Sequence, residues 1–101
     1  MKKIILAASV MMLASGSAMA DLALAKTSGC MACHSVEKKI VGPGWKEVAA
    51  KYKGEAGAKE NLIGKVKNGG KGAWGAAPMP PYSPRVSDEN IEKLVDFILT
   101  L

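Results

Sequence analysis

The residues with the most chemistry in this 101-residue chain sit in one pentapeptide, Cys30-Met31-Ala32-Cys33-His34. Two thiols three positions apart fall on one side of a helical turn, and an imidazole follows directly. Thiols so placed can form thioether bonds to the two vinyl groups along one porphyrin edge, while the imidazole projects across the ring plane as a proximal iron ligand. This spacing is the attachment signature of a c-type haem. Three other uses of the same residues fare worse. A Cys30-Cys33 disulfide of the thioredoxin sort needs an α/β surround that the rest of the chain does not supply. Zinc needs four ligands, and two cysteines with one histidine leave only carboxylates to complete its shell. A Ser-His-Asp or Cys-His catalytic arrangement would have to take the one histidine that the haem reading already uses.

A second iron ligand is reached by elimination, once the start of the chain is understood. Residues 1–20 have the three-part form of a secretory leader: Met1-Lys2-Lys3, an apolar run from Ile4 to Ala14, and the small-residue site Ala18-Met19-Ala20. Cleavage is expected between Ala20 and Asp21. The apolar run is 11 residues long, whereas spanning a bilayer takes about 20, so no membrane insertion is expected after processing. Export carries the thiols to the oxidising compartment, the periplasm, where c-type haem is attached. Four of the six methionines leave with the leader, and Met31 is held inside the attachment turn, on the wrong side to reach the far face. Met79 remains. It stands in Pro78-Met79-Pro80-Pro81, where Pro80 biases it toward extended backbone and the prolines stiffen the loop that would hold a soft thioether against iron. Histidine and methionine together fill both axial positions and leave no open site for substrate. Met/His ligation raises the potential, and an iron that keeps both ligands rearranges little when its charge changes, which points to outer-sphere electron transfer.

The elements that must position these groups are helical. Residues 21–101 form one expected domain, small enough for its apolar core to need help from a cofactor. A two-domain enzyme is excluded by length alone. Asp21 can cap a short helix from Leu22 to about Ser28, interrupted by Gly29. Val48, Ala49 and Tyr52 repeat at helical spacing between Trp45 and Lys53, after the punctuation of Pro43-Gly44 and before the stop at Gly54. A third helix is expected from about Lys59 to Asn68, with Leu62, Ile63 and Val66 on one stripe. The fourth has the clearest pattern: Ser87 as N-cap, Asp88 and Glu89 at the positive end of the dipole, and Ile91, Leu94, Val95, Ile98 and Leu99 on one face. These apolar residues are read as core. Between the last two helices runs a Gly- and Pro-rich loop from Gly69 to Arg85. Within it Gly70-Lys71-Gly72-Ala73-Trp74-Gly75 matches the spacing of a dinucleotide-binding fingerprint, but it follows a helix and leads into prolines, so the required strand-to-helix context is missing. No strand pattern occurs, and the fold class expected is all-α.

With that arrangement in view, the chain resembles the small bacterial class I cytochromes c, soluble monohaem carriers that serve terminal oxidases and nitrite reductases. Beyond the pentapeptide, the resemblance rests on Val41-Gly42-Pro43, Val48-Ala49-Ala50-Lys51-Tyr52, Lys67-Asn68-Gly69, Gly72-Ala73-Trp74-Gly75, Pro78-Met79-Pro80-Pro81 and Asp96-Phe97-Ile98-Leu99, and covers Asp21 to Leu101. It implies about four short helices wrapped on one covalently attached haem c. It also implies that the Pro43 carbonyl accepts a hydrogen bond from His34 Nδ1, that Trp74 and Lys65 sit near the haem propionates, and that the first and last helices cross, with Phe97 where relatives often have tryptophan. Tyr82 departs from the family pattern, which has asparagine there, and the stretch from Tyr82 to Val86 is slightly longer than usual. A phenol is too long to take over the asparagine's contact with the ligand sulfur, so its hydroxyl is expected to point away from Met79.

The function expected is that of a monomeric electron carrier with redox protein partners, not an enzyme. A small haem peroxidase or ligand-binding haem sensor, in which Met79 dissociates, is the alternative; the lack of a second histidine or a distal arginine argues against it. Without the leader the chain keeps 12 basic against 9 acidic residues, a mild excess. The lysines are interspersed with glutamates, which disfavours a nucleic-acid partner. Lys38, Lys39 and Lys46, close to the attachment turn, are candidates for steering toward an acidic partner.

Overall fold

The computed structural model describes residues 12–101; Met1-Lys2-Lys3 and most of the apolar run expected of a leader lie outside the described residues. Four α-helices follow in order, α1 (Met12–Thr27), α2 (Trp45–Tyr52), α3 (Ala58–Asn68) and α4 (Asp88–Thr100), with a 3₁₀ turn at Cys30–Ala32. Among the described residues there is no strand, only two isolated bridges, His34 with Lys39 and Gly70 with Met79. The all-α expectation holds, and α2, α3 and α4 start and stop within a residue of where the periodicity places them.

The start of the first helix differs. Asp21 does not cap it; α1 runs through Ala20-Asp21 without a break. Ala18, Met19 and Ala20 are good helix formers and continue the helix upstream, so Asp21 is an interior residue as long as the bond before it is intact. At the other end α1 closes as expected, with Gly29 in the left-handed region at φ 88°.

α4 is the centre of the packing and touches α1, α2 and α3. Its Ser87 cap accepts a hydrogen bond from the Asn90 backbone N–H at 3.1 Å, satisfying a free donor of the first turn. Ile91 and Val95 are fully enclosed, and full burial of such a side chain is worth about 1.5–3 kcal/mol. α1 packs against α4, and among the α1 residues whose burial is described Ala25 is fully buried. On the outside, Lys59 of α3 bridges Glu92 and Asp96 of α4 at 2.9 and 3.2 Å.

Candidate functional site

The attachment pentapeptide is shaped by its own backbone. Cys33 and His34 both donate their N–H to the Cys30 carbonyl, at 3.2 and 3.0 Å, which winds the segment into a single turn and carries both thiols on it. The two cysteines are half-buried and not joined to each other. Before haem is attached, burial pushes the Cys30 thiol above its ordinary value, partly offset by a backbone hydrogen bond and by the positive charge of Arg85.

The next ten residues fold back onto this turn. Val41 and Gly42 both donate to the Cys33 carbonyl, at 3.2 and 2.7 Å, and Trp45 donates to the Ser35 carbonyl at 2.9 Å. That reversal brings the Pro43 carbonyl to 2.8 Å from His34 Nδ1. A carbonyl can only accept, so Nδ1 carries a proton and donates it to Pro43. Nε2 is thereby the ring nitrogen left to bind a metal.

Met79 is fixed from both sides. It exchanges two backbone hydrogen bonds with Gly70, at 2.7 and 3.0 Å, while Tyr82 just beyond it donates to the Val66 carbonyl of α3 at 3.0 Å. Gly69, at φ 76°, makes the approach possible, because a Cβ there would overlap the Met79 carbonyl oxygen. The stretch between Gly70 and Met79 is thus a flap pinched at its base.

Cys30, Cys33, His34, Pro43, Lys65, Trp74 and Met79 all line one cleft. Its walls are overwhelmingly apolar. A cleft so lined takes a mostly apolar group. Leu62 and Val66 of α3, read from sequence as core, are only half-buried and serve as cleft wall; Val95 and Ile98 of α4 line it while also belonging to the core. Trp74 is partly exposed on the flap, with Lys51 Nζ 5.8 Å from its ring centre. Thiols at the rim, an imidazole with Nε2 free, a thioether and apolar walls are together a donor set for a flat, apolar, iron-bearing ring.

Three contacts of the site are absent from the sequence reading. The Trp45 ring stacks on His34 at 5.7 Å between ring centres; Gly42 lies against the same imidazole; and the Arg85 guanidinium lies over the Tyr82 ring at 4.7 Å. Only the aromatic after Pro43-Gly44 gives any sequence signal, and it reads there as a helix start.

An all-helical chain folded around an apolar cleft with a Cys-x-x-Cys-His turn at its rim defines the class of small proteins with covalently attached haem. The family model described as cytochrome c matches residues 22–101, and the chain belongs to that family. It is 55% identical over 85 residues to cytochrome c-551 of Allochromatium vinosum, an alignment covering 84% of this chain and 89% of the relative. Cytochrome c-552 of Hydrogenobacter thermophilus is 45% identical and covers 100% of this chain and 99% of its own. The crystal structure of wild-type Nitrosomonas europaea cytochrome c552 superposes with a TM-score of 0.76 at 50% identity, covering 79% of this chain and 98% of that one. The protein is accordingly a small class I cytochrome c, an electron carrier with covalent haem c and not an enzyme.

Proposed function

We propose that Cys30 and Cys33 bind haem c through thioether bonds, that His34 and Met79 are the two axial ligands, and that the exported protein shuttles single electrons in the periplasm between respiratory-chain donors and a terminal acceptor such as an oxidase or nitrite reductase. The observation that carries this reading is the His34 ring itself: Nδ1 is committed to Pro43 at 2.8 Å, so Nε2 is the nitrogen free for iron. When bound, haem c supplies a one-electron iron couple. The chain's own residues do the rest. His34 and Met79 would hold the iron and keep substrates off it, Lys65 and Trp74, which line the same cleft, would lie toward the propionates, and the apolar walls would exclude water.

Processing is supported by the extent of the matched domain. The family match opens at residue 22, and the Nitrosomonas chain, almost all of which is covered, corresponds to 79% of this one, about the length of residues 21–101.

Purified periplasmic protein should have the mass of residues 21–101 plus one haem, no titratable thiol, and, when oxidised, the far-red charge-transfer band of a methionine-bound iron. Met79→Ala should lose that band while keeping the haem. Two free thiols without haem, or a band that survives in Met79→Ala, would overturn the assignment.

A further inference from the structure

Beyond the two ligands, the structure assigns Trp45 as the positioning residue of His34: its indole and the Gly42 backbone both bear on the imidazole, fixing the ring plane and keeping water from the proximal side of the iron. The inference rests on the proposed ligation by His34. A hydrogen bond from Nδ1 to Pro43 fixes one point of the ring at 2.8 Å but leaves the ring free to rock about that line. Two further contacts remove this freedom. On the Gly42 side, a Cβ would come within 2.6 Å of His34 Cε1, so only a bare Cα fits. The Trp45 indole is 5.7 Å away between ring centres and inclined by 29°, in stacking contact.

Trp45 is itself immobile. It is 3% exposed, meets Phe97 of α4 edge-on at 6.2 Å, and its backbone N–H is tied to Ser35. The imidazole is thus coupled through one side chain to the helix at the centre of the packing. Two consequences follow for an electron carrier. A ring plane that cannot turn keeps the ligand field the same in both oxidation states. An indole over the imidazole also keeps the proximal side dry, which disfavours the more highly charged iron(III) and raises the potential.

The test uses the holoprotein, with Trp45→Leu and Trp45→Phe compared by redox titration and by the NMR shifts of the haem methyls in the oxidised state, which report the imidazole plane. Trp45→Leu should favour iron(III) by two- to tenfold in the redox equilibrium, a fall of about 18–59 mV at 59 mV per decade, and should rearrange the methyl shifts. Trp45→Phe keeps a smaller ring and should move both readouts less and in the same direction; if the leucine variant does not retain haem, this variant decides. Unchanged potential and methyl shifts overturn the proposal even if melting temperature falls, since lost packing alone would do that. Ligation is read separately: a low-spin spectrum that persists in His34→Ala refutes the ligand assignment whatever the Trp45 variants do.

Discussion

Tyr82 follows Met79-Pro80-Pro81 where the resemblance implies asparagine, and its surroundings say what it does instead. Its ring is buried in the cleft wall, Arg85 covers it at 4.7 Å, and no hydrogen bond joins its hydroxyl to the Met79 sulfur. A donated hydrogen bond would draw density from the thioether and favour iron(II). At a net worth of about 0.5–1.5 kcal/mol and about 59 mV per decade for one electron, its removal would lower the potential by about 20–65 mV. Tyr82→Phe should therefore leave the potential within about 20 mV of the parent, below the smallest effect that a lost hydrogen bond predicts. A larger drop with Met79 still bound would show that the hydroxyl reaches the sulfur. On the His34 side the sign reverses. With His34 as the proposed ligand, the bond from Nδ1 to Pro43 would make the imidazole a stronger donor and favour iron(III). A Cβ in Gly42→Ala would fall 2.6 Å from His34 Cε1 and 3.0 Å from Nδ1, so the ring must shift; a shift that breaks the bond to Pro43 should raise the potential by up to the same order, about 20–65 mV. Redox titration reads both.

At the scale of elements, α4 should carry most of the stability that is not the haem's. Ile91→Ala should cost about 2–5 kcal/mol through a cavity at its fully buried centre, and Ser87→Ala about 0.5–2 kcal/mol through the lost cap; chemical denaturation measures both. Hydrogen bonding to Glu92 and then to Asp96 raises the Lys59 pKa above its ordinary 10.5. A lysine whose folded pKa is raised contributes fully below its unfolded value and stops contributing as pH rises through the folded one. The melting temperature of the parent should thus fall more steeply than that of Lys59→Met above about pH 10.5, and the difference should shrink in salt. Elements of this kind were readable beforehand because their signals are local. The period of Ile91, Leu94, Val95 and Ile98 and the cap three residues ahead of Asn90 lie within one stretch of chain. The start of α1 was not readable in the same way, because Asp21 can act as a cap only after the bond to Ala20 is cut. The site divides likewise. Cys30, Cys33 and His34 declare themselves by spacing, and Met79 by its prolines. The stacking of Trp45 on His34 depends on how residues 35–44 reverse direction, and no spacing in the sequence encodes that reversal.

For the molecule as a whole, what matters is where charge and apolar surface lie relative to the cleft. Ile40 and Val41 are about half exposed, in the loop that folds back on the attachment turn, and Val41 lines the cleft itself. Lys38 and Lys39 directly precede them and are exposed, with no ion pair to either among the described residues. Lys46, grouped with them on sequence grounds, is different: its ammonium is 3.1 Å from the Glu37 carboxylate, so its charge is largely offset at any distance from which a partner would sense it. Electrostatic steering acts on the rate of encounter and is screened over a Debye length of about 8–10 Å at ordinary ionic strength. If this face meets an acidic redox partner, Lys38→Glu and Lys39→Glu should each slow bimolecular electron transfer several-fold at low salt and flatten its dependence on ionic strength. Lys46→Glu leaves two carboxylates facing each other and would confound the comparison, so Lys46→Gln is the appropriate control; it should move the rate less than either reversal. Stopped-flow kinetics with the physiological acceptor over a range of salt concentrations distinguishes the cases. Rates that do not change with salt, or equal effects at all three lysines, would mean that docking relies on the apolar surface of Ile40 and Val41 without steering by these charges.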